Sequence, residues 1–367
     1  MEVNRSNLET ETLGSEKCDC RYHSPNHTSQ KLKKIQTKMT TSPKKVVILG
    51  LGYSGAAVAK FLEKFPKEVE LTIVSPREFL LHKIAALRAA TATNQGWRDR
   101  VMVPAQKSLK HAKFVKALAI RVVPNENKVE LSNGQTLSYD ILVVATGSRN
   151  FSPAEPPVQI TSREETNKFY LDMKQQLTAA NNIVIVGSGP VAIELAGEIR
   201  EEYPDKKLTI VTRSKHVLHT LTPLPKKGID HVSTRLEKNN IGLILNDEVI
   251  SHPLPTDLLD GTPVVKITDG KGISLKSGKK VEGCDLLVFA VGGVLNTSFL
   301  PSEWLDQQNK QIMVNKETLQ VLNHSNVFCI GDVAMTGATK MAAYSVQDGD
   351  IVGKNILQVL NSSKLGE

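Results

Sequence analysis

The sequence predicts an α/β protein built from two doubly wound, Rossmann-like domains with small antiparallel β appendages. Three observations predict it: short β-branched runs that alternate with helical patterns, two glycine-rich turns, and two stretches of strand-like alternation. The 367 residues suit two domains at about 150 residues per domain. With 40% hydrophobic and 23% charged residues, a core of ordinary size can be buried, which excludes a wholly disordered or fibrous chain.

Seven four-residue apolar runs predict the strands of the two sheets. They are continuous rather than alternating, as expected for parallel strands that are covered on both faces. Helical patterns at 56–64 and 191–202 each follow a glycine-rich turn, which gives the βαβ order of a doubly wound fold. The runs are 46–49, 71–74, 141–144, 183–186, 208–211, 286–289 and 327–330.

Two other stretches predict the antiparallel appendages. Residues 113–137 alternate polar and apolar side chains, with turn signals at Pro124-Asn125 and Asn133-Gly134. A similar meander is expected from 244 to 281.

The first glycine motif directly follows the first predicted strand. Gly50, Gly52 and Gly55 form G-x-G-x-x-G between a strand and a helix. The first glycine permits a tight turn, the second lets a pyrophosphate approach the backbone, and the third lets helix and strand pack closely. The helix N-terminus then supplies free N–H groups for phosphates, so we expect a dinucleotide here rather than an empty βα turn.

A second copy of the motif lies 137 residues further along. Gly187, Gly189 and Ala192 follow the run 183–186, and alanine in the third position still allows close packing. Two such motifs in one chain predict two bound dinucleotides and therefore electron transfer between them.

The acidic residue that usually binds the ribose 2′-hydroxyl, about 20 residues after the third glycine, is missing from both motifs. Ser75 holds that position in the first motif, where its hydroxyl or Glu78 can substitute. Thr212 holds it in the second and is followed by Arg213 and Lys215. Two cations suit a 2′-phosphate, so we hypothesise that NADPH is used at least as well as NADH; the alternative is that both are solvated surface charges.

The net charge of +8 is concentrated at the N-terminus. Residues 1–45 hold nine Lys and Arg against five Asp and Glu, which is half of the net charge. Residues 1–43 are polar without apolar periodicity, so we expect a disordered extension that is not a signal peptide. A basic domain surface is not indicated, and we expect no specific nucleic-acid binding.

The four cysteines argue for a reducing compartment and against a disulfide framework. No C-x-x-C or C-x4-C pair occurs. Cys18, Cys20, His23 and His27 resemble a metal cluster, but they lie in the predicted tail, and we expect no metal.

Three further motifs occur in the order found in the two-dinucleotide-binding flavoproteins. Residues 139–148 contain Ala145-Thr146-Gly147, residues 284–296 contain Gly292, and residues 324–332 end in Gly331-Asp332. Together with both glycine motifs, they make the chain similar to the pyridine nucleotide-disulfide oxidoreductase superfamily. The segments at 82–89, 202–211 and 339–342 resemble its AIF-like and ferroptosis-suppressor branch.

The resemblance implies a discontinuous FAD domain with an NAD(P)H domain inserted into it. The implied boundaries are 1–43 for the extension, 44–155 and 283–367 for the FAD domain, and 156–282 for the NAD(P)H domain. Disulfide reductases of this superfamily carry a redox cysteine pair after the first helix. This chain has none, so thiol–disulfide chemistry is not expected.

The resemblance also implies roles for particular side chains. Glu194 would lie beside the nicotinamide–flavin junction, where its carboxylate would orient the nicotinamide amide or a cation near flavin N5. Alternatively, its negative charge in the first helical turn only interacts favourably with the helix dipole. Lys83 is a candidate partner of Glu194, and Glu198 is expected to be an ordinary helix residue. Asp332 would accept hydrogen bonds from the FAD ribityl chain, rather than only form a turn.

A helix that opens near Lys340 would direct its N-terminus towards the flavin. Lys340 would add positive charge there, or be a solvated loop cation. The implied FAD ligands are Gly50, Gly52, Gly55, Ser75, Arg88, Thr146, Gly147, Gly331, Asp332, Met341 and Ala342. The implied NAD(P)H ligands are Gly187, Gly189, Ala192, Thr212, Arg213 and Gly292.

The expected activity is FAD-dependent NAD(P)H oxidation, with electrons passed to a quinone-type acceptor or oxygen. The alternative is an AIF-like redox-sensing cell-death or signalling flavoprotein with low turnover. We expect a cytoplasmic protein, free or associated with a membrane, lipid droplet or mitochondrion. No transmembrane segment is apparent, and peripheral lipid contact and the oligomeric state are left open.

Overall fold

The described part of the chain contains seven α-helices, of which α1 and α5 follow the two glycine turns. A computed structural model describes residues 42–94, 96–219, 224–254, 262–270, 272–338 and 340–362. The helices are α1 (Tyr53–Leu62), α2 (Ala86–Thr91), α3 (Gly96–Arg100), α4 (Arg163–Ala179), α5 (Pro190–Glu202), α6 (Lys226–Lys238) and α7 (Ala342–Ser362). A short 3₁₀ turn at Lys83–Ala85 precedes α2.

The strands are short and mostly buried. They are β1 (Lys44–Leu49), β2 (Val69–Ser75), β3 (Phe79–Leu81), β4 (Met102–Pro104), β5 (Lys113–Lys116), β6 (Ala119–Val123), β7 (Lys128–Leu131), β8 (Thr136–Ser138), β9 (Ile141–Val144), β10 (Ser148–Phe151), β11 (Asn182–Val186), β12 (Lys207–Val211), β13 (Ile241–Ile244), β14 (Val264–Lys266), β15 (Ile273–Ser274), β16 (Lys280–Val281), β17 (Leu286–Phe289), β18 (Val291–Leu295) and β19 (Val327–Cys329). All seven strands predicted from apolar runs are therefore present.

The first sheet has the strand order β19-β9-β1-β2-β5 and is parallel throughout. β1 lies at its centre, and its last four residues are buried, as expected for a strand covered on both faces. The prediction that 113–137 is one antiparallel appendage is wrong in part. β5 joins the parallel sheet because it pairs with β2, and only β6, β7 and β8 form the antiparallel unit.

The second sheet has the order β13-β12-β11-β17-β14. β11, β12, β13 and β17 are parallel, whereas β14 pairs antiparallel with β17 at the edge. The predicted meander from 244 to 281 is thus split between this edge strand and the hairpin β15–β16. The two parallel sheets confirm the predicted α/β class.

The chain passes between the two sheets twice. β10 lies on the connection from the first sheet to the second, and β18 lies on the connection back. The two strands pair antiparallel, with a bulge at Asn150/Phe151. β19 then completes the first sheet. This order fits an inserted second domain, while the exact domain boundaries stay predictions. Nearly all of the predicted extension, together with its Cys18–His27 cluster, lies outside the described residues.

The long helix α7 packs closely on α1 beside the first sheet. A Cβ at Gly349 would collide with Ala57, and a Cβ at Gly353 would collide with the Phe61 ring. Both positions therefore require glycine for the helices to approach. Over the described ranges, no helix is long and apolar enough to cross a bilayer.

Candidate functional site

The first glycine turn connects β1 to α1 at the carboxyl edge of the first sheet. Gly50 has a φ of +106°, and a Cβ there would collide with the Ala145 carbonyl oxygen. A Cβ at Gly55 would collide with the Gly50 carbonyl oxygen, so this glycine allows α1 to pack on the turn. At Gly52, by contrast, no atom of the described residues lies within 4 Å of a Cβ position. This opening lies at the N-terminus of α1, where the sequence predicts the FAD pyrophosphate.

The second glycine turn has the same construction between β11 and α5. Gly187 has a φ of +119°, and a Cβ there would collide with the Ala290 carbonyl oxygen. Gly189 caps α5 in an extended conformation, and Ala192 is fully buried in the first turn of the helix. The start of α5 thus has the construction that the sequence predicts for NAD(P)H, and the predicted contact stays a prediction.

The segments that follow β9 and β18 are joined by hydrogen bonds beside the first glycine turn. The Thr146 hydroxyl donates to the Asn296 carbonyl, and the Asn296 amide donates to the Thr146 carbonyl, each at 2.8 Å. Gly147 has a φ of +64°, and Gly147 and Gly292 both face open space among the described residues. The motifs that surround β9 and β18 are therefore locked together at the predicted cofactor edge.

Asp332 lies three residues after the end of β19 and is partly buried. Its carboxylate accepts a 2.6 Å hydrogen bond from the Ser148 hydroxyl, which holds one of its two oxygens. Gly331 has a φ of +84°, and a Cβ there would press on Ser54 of α1. Among the described residues, no hydrogen bond to the other carboxylate oxygen of Asp332 is found.

Lys340 closes the loop between β19 and α7. Its ammonium group donates to the Gly331 and Ala334 carbonyls and to the Thr336 hydroxyl, and burial lowers its pKa. Lys340 is therefore hydrogen-bonded within its loop, and its predicted role beside the flavin stays a prediction. The α7 helix begins two residues later at Ala342, after the exposed Met341.

Lys83 does not pair with Glu194, contrary to the sequence prediction. Its ammonium group contacts the Glu155 carboxylate and the Ser148 carbonyl, both at 2.9 Å. Glu155 is 6% exposed and also accepts from the Asn150 N–H, so this carboxylate is fixed. A buried acid is the stronger partner because its charge needs compensation.

Arg88 and Glu198 form an ion pair between α2 and α5. The guanidinium makes three contacts of 2.6 to 3.0 Å to the carboxylate. Its central carbon lies 5.3 Å from the centroid of the Trp97 ring. Glu198 is thus not an ordinary helix residue, because it pairs α5 with α2, whose buried residues share the core cluster of α5. Arg88 is held by this pair, and its predicted contact with FAD stays a prediction.

Glu194 lies one turn before Glu198 on α5. Desolvation by the surrounding protein raises its pKa, the Glu198 charge raises it further, and the Arg88 charge lowers it. Desolvation is therefore the main cause of the raised pKa, and the two charges of the Arg88–Glu198 pair act on Glu194 in opposite directions.

We expect the Arg88–Glu198 pair to contribute to stability. Arg88→Met and Glu198→Gln should each lower the free energy of unfolding by about 1 kcal/mol, because the pair is bidentate but half-exposed. The double variant should lose less than the sum, as measured by urea unfolding. Lys168→Met, which removes an exposed i,i+4 pair with Asp172, is the control and should have a smaller effect. Strict additivity of the two variants would contradict the assignment.

The two hydroxyls that replace the ribose-binding acids are engaged inside the protein. Ser75 is 9% exposed and accepts from the Arg77 N–H at 3.2 Å. Thr212 is 6% exposed, and its hydroxyl oxygen accepts from the Ser188 hydroxyl and the Ser214 N–H. Their predicted contacts with ribose stay predictions, and the exposed side chain next to Thr212 is Arg213.

Sequence reasoning missed two contacts near the first turn. The Tyr53 hydroxyl lies 2.8 Å from the His82 Nδ1 and accepts from the Ile84 N–H at 3.3 Å. Arg77 donates to three carbonyls of the segment that follows β10, at Pro156, Pro157 and Ile160. The lone Arg77 after β2 carried no motif, so only the folded chain reveals its partners.

Both cysteines in the described part of the chain are buried, free thiols. Burial raises the pKa of Cys284 to about 11 and raises that of Cys329 as well. Neither thiol has the low pKa of a redox cysteine, in agreement with the missing sequence pair. Cys18 and Cys20 lie outside the described residues.

Comparison with known proteins identifies the family. Residues 44–349 match the pyridine nucleotide-disulphide oxidoreductase family, and the chain belongs to it. Apoptosis-inducing factor homolog A of Dictyostelium discoideum is 30% identical over 347 residues, covering 91% of this chain and 82% of that protein. Human ferroptosis suppressor protein 1 is 28% identical over 323 residues, with 87% and 82% covered.

A solved structure supports the fold. The sulfide:quinone oxidoreductase of Aquifex aeolicus superposes with a TM-score of 0.64 at 21% identity, covering 87% of this chain and 77% of that one. The family places the chain among AIF-like flavin oxidoreductases that use FAD and NAD(P)H. The opening at Gly52 and the two helix N-termini fit these cofactors.

Proposed function

We propose that this oxidoreductase passes electrons from NAD(P)H through FAD to a quinone-type acceptor. When bound, FAD takes the hydride from NAD(P)H and releases electrons to a second substrate. The observation that carries the choice of acceptor is a set of large exposed apolar side chains that lie, along the sequence, within four residues of predicted site residues. They are Ile84, Val294, Met341, Tyr344 and Val346, which are 42% to 59% exposed.

The two glycine turns hold the two dinucleotides in this proposal. Gly50, Gly52 and Gly55 bind the FAD pyrophosphate at the start of α1, and the turn at Gly187 binds that of NAD(P)H at the start of α5. In each case, backbone N–H groups and the positive end of the helix dipole stabilise phosphate charge. The Arg88–Glu198 pair holds α2 against α5, the helix that begins at the second turn.

Glu194 orients the nicotinamide. The carboxylate oxygens of Glu194 accept hydrogen bonds from the NH₂ group of the nicotinamide amide. The ionised carboxylate is a stronger acceptor than the protonated one. Because the pKa of Glu194 is raised, this form is lost at a higher pH than for an ordinary glutamate when the solution is acidified.

Asp332 and the start of α7 hold the flavin end. Ser148 fixes one oxygen of Asp332, and the other accepts from a ribityl hydroxyl. The N-terminus of α7, at Ala342 beside Met341, favours negative charge on the ring, and Lys340 adds a cation. Lys83, held by Glu155, supplies a second fixed cation next to Ser148.

The acceptor surface is apolar beside these cations. Ile84 directly follows Lys83, and Val294 lies on β18 opposite Arg149, next to Ser148. Binding of a quinone ring with an apolar tail is favoured here because it removes the exposed apolar surface of these side chains from water.

The acceptor is tested by NAD(P)H oxidation with a water-soluble ubiquinone analogue. We expect turnover with the analogue to exceed turnover with oxygen by more than about tenfold, because a bound quinone is held beside the flavin. Ile84→Glu should raise the KM for the analogue by about tenfold through desolvation of the new charge. Ile120→Glu, at a similarly exposed apolar position on β6, is the matched control and should leave this KM unchanged.

Slow turnover with every acceptor, together with a long-lived absorption band after NAD(P)H addition, would contradict the quinone proposal. That result would favour the redox-sensing alternative. An unchanged KM in Ile84→Glu would place the acceptor on a different surface.

A further inference from the structure

We propose that Glu248 is a specificity-determining residue that tunes the discrimination between NADPH and NADH. This inference rests on binding of the pyridine nucleotide at the second glycine turn. Glu248 stands outside every glycine motif, in the segment after β13, and folding brings it to the position where a 2′-phosphate would lie.

The ribose end of the nucleotide faces the residues that follow β12. In a doubly wound fold, the end of the second strand contacts the ribose 2′-position. Here β12 ends at Val211, and the buried Thr212 hydroxyl is already bonded within the protein. Arg213, whose side chain is 75% exposed, is therefore the first group after β12 that can bind a 2′-phosphate.

Arg213 is not alone at this position. Its guanidinium lies 3.7 Å from the Glu248 carboxylate, and the Lys276 ammonium group lies 3.9 Å from the other oxygen of the same carboxylate. One acid thus stands between two cations that come from different segments. A 2′-phosphate that approaches Arg213 meets the Glu248 charge as well, and this repulsion lowers its affinity.

The position of Glu248 is fixed by its neighbour Asp247. The Asp247 carboxylate accepts from the Ser277 hydroxyl and from the N–H groups of Ser277 and Glu248. The Asp247 N–H donates to the Thr212 carbonyl at 3.0 Å, and the Ser277 hydrogen bond lowers the pKa of Asp247. A carboxylate that stays ionised therefore anchors the Glu248 segment between β12 and the hairpin.

The Glu248 segment and the hairpin are also joined through the main chain. The Lys276 N–H donates to the Glu248 carbonyl at 2.8 Å, and Val249 bridges to Leu275. Glu248 and Lys276 are consequently held side by side, independently of their charges. Neutralising Glu248 should leave Arg213 and Lys276 in place and free both for a phosphate.

The proposal is tested with two ligands that differ only in the 2′-phosphate. Calorimetric titration of the FAD-loaded full chain with adenosine 2′,5′-bisphosphate and with 5′-AMP measures that group without any turnover. Glu248→Gln should raise the affinity for the bisphosphate about fivefold and change that for 5′-AMP by less than about twofold. Arg213→Gln should lower the affinity for the bisphosphate about tenfold.

Steady-state kinetics provide a second readout. The wild type should use NADPH at least as well as NADH, and Glu248→Gln should raise the NADPH-to-NADH ratio of kcat/KM by the same factor of about five. Glu303→Gln, an exposed glutamate on the side of the first sheet, loses the same charge and should leave the ratio unchanged.

Two results would overturn the proposal and are distinguishable. If 5′-AMP binds but Glu248→Gln leaves the affinity for the bisphosphate at the wild-type value, Glu248 does not act on the 2′-phosphate. If neither ligand binds any variant, the nucleotide does not bind at the second glycine turn, and the proposed function fails with it.

Discussion

Gly52→Val is expected to abolish FAD binding while the apoprotein remains folded. The Cβ position of Gly52 faces open space, and its backbone is extended, so valine meets no strain within the protein. The added side chain instead occupies the space into which a pyrophosphate would fit, and we expect the Kd for FAD to rise more than about 100-fold. Flavin fluorescence titration measures the affinity, and thermal unfolding of the apoprotein measures the fold.

Gly55→Ala is the matched comparison three residues further along. Its Cβ would collide with the Gly50 carbonyl oxygen, so this variant should lose about 1–3 kcal/mol of stability through displacement of α1. Gly52→Val is therefore expected to lower the affinity for FAD, whereas Gly55→Ala is expected to lower the stability of the fold. Wild-type FAD affinity in Gly52→Val would show that the pyrophosphate lies elsewhere.

Glu194→Gln is expected to slow the reduction of bound flavin by NAD(P)H about 100-fold. The amide keeps the size of the side chain but removes the charge that orients the nicotinamide, and loss of one such contact typically costs a factor of this order. Stopped-flow measurement of flavin bleaching follows this step without the acceptor. In the wild type the rate should rise with pH through the raised pKa of Glu194, and this dependence should vanish in the variant.

Glu237→Gln on α6 is the control for charge removal, because Glu237 is exposed on a neighbouring helix. It should leave both the rate and its pH dependence unchanged. A rate in Glu194→Gln within about threefold of the wild type would favour the alternative in which Glu194 only complements the helix dipole.

The sheets could be predicted from sequence because buried parallel strands have a local signature. The run 46–49, for example, became the central strand β1, since a continuous apolar run followed by glycine leaves few alternatives. β5 was assigned wrongly because its alternating pattern describes an exposed edge, and both a parallel edge strand and an antiparallel ribbon have such an edge. Pairing with β2 is a long-range contact that the pattern does not encode.

The same distinction applies to the site. The glycine turns could be predicted because each glycine answers a local backbone requirement, as at Gly50. The charged partners could not, because Lys83 and Glu155, or Arg213 and Glu248, are separated along the chain and meet only through the fold. Spacing rules identify turns, whereas ion pairs across elements depend on which helices and loops become neighbours.

The central claim is that one chain holds FAD and NAD(P)H so that hydride passes between them. Anaerobic titration of the FAD-loaded full chain with NADH and with NADPH tests it most directly. We expect about one equivalent of FAD per chain and bleaching of the flavin absorbance by about one equivalent of reduced nucleotide. A chain that retains no flavin after reconstitution, or a bound flavin that neither nucleotide bleaches, would contradict the account.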